Sequence, residues 1–279
     1  METKNMNILL PTDFSDNSWS AIVYALKLYA NEPCTFYILN SAHLKVSAMS
    51  DMSNKIVKVM KDNAIKELLE LKNLAENANA NANHEFETIL SLEDLKTGIQ
   101  KAVEKYAIDL VVMGTKGATG AKEVFFGSNT VRIIKKMRKC PVLIIPEDYD
   151  FVKPEQIAFP TDFNRFYGQV ELQPLKDLAA LYNSEIRIVH INAETKLNEV
   201  QEYNISSLQS YLEDFEHSFH WMPDYSKKAV EINDFIEELK IDVLAMVNYK
   251  HSFIESIVNE PVIKTIGFSP KVPFLVIPD

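Results

Sequence analysis

Asp109-Leu110-Val111-Val112-Met113-Gly114-Thr115-Lys116-Gly117-Ala118-Thr119-Gly120-Ala121-Lys122-Glu123-Val124-Phe125-Phe126-Gly127-Ser128-Asn129-Thr130 decides the fold of this chain. The apolar run into Met113 predicts a buried strand, and Val131, Ile133, Ile134 and Met137 recur beyond Thr130 at helical spacing. Between them fall four of the chain's seven glycines, Gly114, Gly117, Gly120 and Gly127. A strand therefore ends in a glycine-rich loop, and the loop ends in a helix start. Backbone N–H groups at a helix N-terminus lack partners within the helix, and the dipole there favours anions. Glycine lets such a backbone come close to a ligand, and phosphate is the natural guest. On glycine content alone, a surface loop that needs tight turns explains the segment equally well. Neither the P-loop pattern nor Gly-x-Gly-x-x-Gly is present.

Outward from this stretch, short apolar strands alternate with amphipathic helices. Asn7–Leu10 reads as a strand ending at Pro11-Thr12-Asp13-Phe14, followed by a helix capped by Ser15 or Asp16 with Trp19, Ile22, Val23 and Leu26 on one face. Thr35–Leu39 is the next strand, and Ile56, Met60, Ala64, Leu68, Leu71 and Ala75 mark the inner stripe of a long helix. A loop or frayed helix end spans Glu76 to Asn83, before a strand at Phe86–Leu90. A helix carrying Leu95, Ile99, Ala102, Val103 and Tyr106 precedes the glycine segment, and Val142–Ile145 is a last strand between Pro141 and Pro146. Such alternation predicts a parallel sheet with helices on both faces, whose ligands sit beyond the strand C-termini. Pro11-Thr12-Asp13 and Gly114–Gly117 both fall there.

The pattern then recurs. Ile157-Ala158-Phe159-Pro160-Thr161-Asp162-Phe163 repeats the first strand and its end, and Ile186–His190 repeats the second strand. Ile241-Asp242-Val243-Leu244-Ala245-Met246 repeats Ile108–Met113, and Val272–Pro278 repeats Cys140–Pro146. Four matches in one order predict a tandem duplication, with domains at 1–148 and 149–279. The copies differ after the fourth strand: Val247 to Glu260 contains no glycine, and Asn259-Glu260 replaces Gly127-Ser128. A carboxylate then stands where phosphate would go, so the second copy reads as degenerate.

The net charge of −10 argues against general nucleic-acid binding, and its distribution is uneven: about −1 over residues 1–150 and −9 over 151–279. An anionic ligand should prefer the first copy. With no 18-residue apolar span and no signal-peptide core, the expectation is a cytoplasmic protein without membrane contact. Cys34 and Cys140 stand at strand starts and read as buried thiols rather than a disulfide.

With these residues in place the chain resembles a tandem universal stress protein. That family is similar to Rossmann-type, adenine nucleotide alpha hydrolase-like nucleotide binders, and its ATP-binding members carry Gly-2x-Gly-9x-Gly-Ser/Thr after the fourth strand. Gly114-Thr115-Lys116-Gly117, then nine residues from Ala118 to Phe126, then Gly127-Ser128 match that motif in full. The resemblance covers essentially the whole chain, twice. It implies two α/β domains, each with a five-stranded parallel sheet, and ATP, alone or with Mg, in the first. Pro11, Thr12 and Asp13 would lie at the adenine and ribose end. Ser41 and Ala42 would touch the base, although Asn40-Ser41 replaces the family's usual His-Val. Met113, Gly114 and Gly117 would approach the ribose and phosphates, and Gly127, Ser128 and Asn129 would hold the outer phosphates. The family's last strand pairs across a two-fold interface, which implies an internal pairing of Pro141–Ile145 with Pro273–Ile277, alone or within a homo-oligomer.

Other residues are read more plainly. Lys116 and Lys122 could screen phosphate charge but are more ordinarily solvated. His43 has no partner that would make it a catalyst. His217 and His220 have the i, i+3 spacing of a metal pair on a helix but lack further ligands. No catalytic set and no metal site is expected. The reading is an ATP-binding regulatory module; slow ATP hydrolysis on the same loop and a nucleotide-free scaffold are the alternatives.

Overall fold

The computed structural model describes residues 5–43, 54–78, 81–116, 126–192, 196–223, 228–249 and 271–279. These form two compact units, one ending at Phe151 and the other beginning at Val152. In the first, the strands are β1 (Met6–Thr12), β2 (Cys34–Ser41), β3 (His84–Ser91), β4 (Leu110–Gly114) and β5 (Val142–Ile145). The helices are α1 (Asp16–Leu28), α2 (Asn54–Ala78), α3 (Leu95–Tyr106) and α4 (Ser128–Lys136). The sheet is parallel in the order β3-β2-β1-β4-β5. Helices α1 and α2 share one face, and α3 packs with α4 on the other. The second unit has β6 (Gln156–Pro160), α5 (Gln169–Ala180), β7 (Glu185–Asn192), α6 (Glu199–Tyr211), β8 (His217–Pro223), α7 (Lys228–Glu238), β9 (Val243–Asn248) and β10 (Phe274–Pro278). Its parallel order, β8-β7-β6-β9-β10, repeats that of the first. The architecture is thus two Rossmann-like α/β units in tandem. In each, the strand order reverses beside the first strand, between β1 and β4 and between β6 and β9, and opens a crevice at the strand C-termini.

Burial on both faces explains the strand sequences. Ile8, Leu9 and Leu10 of β1 and all five residues of β4 are inaccessible or nearly so. The Ser15 side chain accepts from the Ser18 N–H and caps α1, while Asp16 and Lys27 complement the dipole at its two ends. Helix α1 buries Ala21, Ile22, Tyr24, Ala25, Leu26 and Leu28, a wider face than the sequence stripe, and Trp19 and Val23 are only half-buried. The inner stripe of α2 starts later than its spacing predicts. Ala64, Leu68 and Ala75 are buried, whereas Ile56 and Met60 are exposed. The first turns of that helix stand clear of the sheet, so periodicity there is not matched by a surface to cover it. Cys34 and Cys140 are buried free thiols, each raised to about 12, chiefly by burial. No helix among the described residues is long and apolar enough to cross a membrane.

Strand β8 places His217 and His220. Residues three apart on a strand point to opposite faces, so the two imidazoles do not converge. His217 Nδ1 bonds the Phe215 carbonyl, and His220 Nε2 lies 3.0 Å from Ser218 Oγ.

The repeated Ile-Asp pair has a structural meaning. Asp109 Oδ2 accepts from the Asn7 N–H at 2.9 Å, while the Asp109 N–H donates to the Asn7 carbonyl at 2.8 Å. Asp242 makes the same clip, accepting from the Glu155 and Gln156 N–H groups at 2.8 and 2.9 Å. Each aspartate locks the central strand to the one across the crevice. Replacing Asp109 by Ala should lower stability by about 1–3 kcal/mol, the scale of hydrogen bonds to a charged group. Chemical denaturation reads this directly, and an unchanged midpoint would mean the clip is redundant.

Candidate functional site

In the first unit a cleft of about 310 Å³ opens at the reversal of strand order, beyond the ends of β1 and β4. A volume of this size lies at the lower end of small-molecule sites. Pro11, Thr12, Asp13, Ser41, Met113, Gly114 and Asn129 line it, so seven of the residues singled out in the sequence come together. Gly127 and Ser128 stand at the start of α4, one step behind Asn129, and do not themselves line the cleft. Gly117 lies outside the described residues, as do Lys122 and the stretch from Lys250 to Glu260 that distinguishes the second copy.

The strand-one end is built as a tight turn. Thr12 Oγ1 accepts from the Phe14 N–H at 2.9 Å, and Phe14 adopts a left-handed φ of 62°. Such a conformation is uncommon for a bulky residue and is held here by the threonine hydroxyl. Asp13 Oδ1 accepts from the Ser15 hydroxyl at 2.5 Å, which leaves the exposed carboxylate ordered at the cleft rim. At the floor, Asn40 Nδ2 donates to the Thr12 carbonyl at 2.9 Å.

The helix-start end is pinned to β4. Thr130 Oγ1 donates to the carbonyl of Thr115 at 2.9 Å or of Gly114 at 3.2 Å. The Gly127 N–H donates to the same Thr115 oxygen at 2.7 Å. That bond uses the Gly127 amide within the protein. The Ala42 N–H likewise donates to the Ser91 carbonyl at 2.9 Å, and Ala42 is not among the residues lining the cleft.

Gly114 is glycine for a packing reason as well as for access. A Cβ there would stand 2.8 Å from the Asn17 side chain, whose Nδ2 donates to the Lys116 carbonyl. Asn17 is buried, and its Oδ1 has no hydrogen-bond partner among the described residues.

Several lining residues escaped the sequence reading: Ser18, Asn40, Asp94, Leu95, Thr130 and Arg132. Asp94 caps α3, and its bond from the Thr97 hydroxyl holds its carboxyl below the usual range, so it is an anion at neutral pH. The capping pattern Asp94-x-x-Thr97 was the available signal. For Arg132 there was none beyond helical spacing from Ser128. His43 and Lys116 also line the cleft, and Lys116 pairs with Glu147 at 2.8 Å. The cleft is thus acidic toward β1 and α3, through Asp13 and Asp94, and basic toward β4 and α4, through Lys116 and Arg132. That polarity fits an elongated ligand with hydroxyl or amine donors at one end and anionic groups at the other.

The second unit repeats the turn with different side chains packed against it. Thr161 Oγ1 accepts from the Phe163 N–H at 3.0 Å, and Phe163 has φ 55°. Where Ser18 Oγ meets Thr12 Oγ1 in the first unit, at 2.9 Å, the phenol of Tyr167 meets Thr161 Oγ1 at 3.0 Å. Burial drives the Tyr167 hydroxyl pKa upward, and burial likewise raises that of Tyr249 beside it. The Arg165 guanidinium lies 4.8 Å from the Tyr249 ring centre and pairs with Glu171 at 2.6 Å and with Asp279. From α6, Gln201 and Asn204 donate to the carbonyls of Asp162 and Phe163 at 3.0 and 2.7 Å. Asp162 Oδ1 accepts from the Asn164 N–H at 3.0 Å, as a turn residue would.

Replacing Gly114 by Ala should cost about 1–3 kcal/mol of stability through overpacking. Most of that loss should be recovered when Asn17 is shortened to Ala in the same protein. Thermal or denaturant unfolding of the two single variants and the double variant tests the contact; additive effects would contradict it.

Comparison with known proteins follows the same division. The family model described as the universal stress protein family matches residues 4–146. A universal stress protein of Methanocaldococcus jannaschii is 30% identical over 159 residues, covering 52% of this chain and 97% of the relative. A second from that organism is 29% identical over 142 residues, covering 50% and 80%. The crystal structure of a universal stress protein from Archaeoglobus fulgidus shares the fold, with a TM-score of 0.69 over 98% of this chain and 96% of that one at 18% identity. The chain belongs to the universal stress protein family.

Proposed function

We propose that the first unit binds an adenine nucleotide, ATP in the first instance, and that the chain works as a nucleotide-responsive cytoplasmic module rather than as a catalyst. The domains are 1–148, which carries the site, and 149–279, a degenerate copy. One observation carries this reading. The crevice of the first unit is open and polar at both ends, whereas in the second unit the phenol of Tyr167 stands against the strand-end threonine and Arg165 stacks on Tyr249.

Asp13, Ser41 and Asp94 would serve the base and ribose end as acceptors. Gly114, Asn129 and the first turn of α4 would serve the phosphates, with Gly117, Gly127 and Ser128 completing the spaced motif. The N–H groups of that turn have no acceptor within the helix, and the dipole adds to the attraction. What the nucleotide supplies is a polyanion that this end of the cleft can neutralise. Burying it covers the rim between Asp13 and Asn129 and changes the charge presented there, and that altered surface is what a partner protein would sense.

Calorimetry with ATP tests the reading. The chain should take up one nucleotide. Ser18→Tyr, which places beside Thr12 the phenol that the second unit has beside Thr161, should weaken ATP at least tenfold (about 1.4 kcal/mol) while circular dichroism stays unchanged. Gly127→Val, at the opposite end of the cleft, should weaken it independently. No uptake by the unaltered chain, or full affinity in both variants, would overturn the site.

A further inference from the structure

The two cations at the basic end are not equivalent. Lys116 has a side chain only 10% exposed, and its ammonium is neutralised by Glu147 at 2.8 Å. Arg132 also lines the cleft but is exposed, and it has no ion-pair partner among the described residues. It sits four residues after Ser128 on α4, so the two share a helix face. Helical side chains lean toward the N-terminus, which brings the guanidinium back over the turn where the anion is expected. A planar fork of N–H donors that is always charged suits bidentate binding of phosphate oxygens. Nothing within the described protein competes for it.

We propose that Arg132 is the specificity-determining residue of the cleft and selects ligands by the number of phosphate charges they carry, favouring the triphosphate over the monophosphate and the nucleoside. This rests on the nucleotide reading above. The acidic end, Asp13 and Asp94, then fixes which way round the ligand lies, because a phosphate placed beside them would meet like charge. Arg132 reads the far end. The helix-start amides add to the binding of the phosphates, and the full charge that grades ligands by phosphate number comes from this side chain. Lys116, already paired, contributes less.

Titrations of ATP, AMP and adenosine into the full chain and its Arg132→Gln, Arg132→Lys and Lys116→Gln variants separate these roles. Arg132→Gln should weaken ATP about tenfold or more, the scale of a charge-assisted hydrogen bond. Adenosine should be unaffected and AMP affected less than ATP. Arg132→Lys should restore part of the loss, and Lys116→Gln should cost ATP less than Arg132→Gln does. Equal losses for all three ligands, or unchanged ATP affinity in Arg132→Gln, would overturn the assignment. An unaltered chain that binds neither ATP nor adenosine would instead defeat the nucleotide reading itself, and this inference with it.

Discussion

The hydroxyl of Thr130 and the amide of Gly127 converge on the carbonyl oxygen of Thr115, and this shared acceptor fixes where α4 begins. Without it, the first turn of the helix would be free to swing away from the end of β4. With it, that turn is held where Asn129 and Thr130 line the crevice between β1 and β4. The opposite wall is held by comparable means: Thr12 sets the turn through Phe14, and Asn40 ties the strand-one end to β2. Both walls are made of short, buried, side-chain-to-backbone bonds, which confer rigidity where a ligand needs a preformed surface. The Asp109 clip at the far end of the same two strands keeps the crevice from closing or sliding.

Duplication shows which of these parts are structural. The threonine turn, the left-handed phenylalanine and the aspartate clip occur in both units, so they serve the fold. The small hydroxyl of Ser18 does not recur. Tyr167 takes its place against Thr161, and Arg165 pairs with Glu171 and Asp279. The polar groups at this end of the second unit are partnered with one another, as the cost of unsatisfied buried polar atoms requires. The concentration of negative charge in the second half points the same way.

Much of the architecture was legible because burial on both faces forces continuous apolar strands, and Leu110–Met113 and Val142–Ile145 show this plainly. The crevice was legible through Pro11-Thr12-Asp13, which can lie only at a strand end. What sequence could not give was side-chain partnership across the chain. Gly114 reads as a concession to ligand, yet Asn17, 97 residues earlier, already forbids a Cβ there. The amides of Ala42 and Gly127 are bonded to the carbonyls of Ser91 and Thr115, partners far away or unmarked in the sequence. Asp94 and Arg132 reach the cleft from helices whose placement follows from the sheet order, not from their local pattern. The i, i+3 spacing of His217 and His220 said nothing of which element carries them, and on strand β8 they point to opposite faces.

A crystal structure of the full chain grown with a non-hydrolysable ATP analogue tests the account most directly. The predicted result is density in the first crevice alone, with the base beside Asp13 and Ser41 and the phosphates against Asn129 and the α4 start. Density beside Asp162 in the second unit, or phosphates lying toward Asp94 instead of α4, would contradict it.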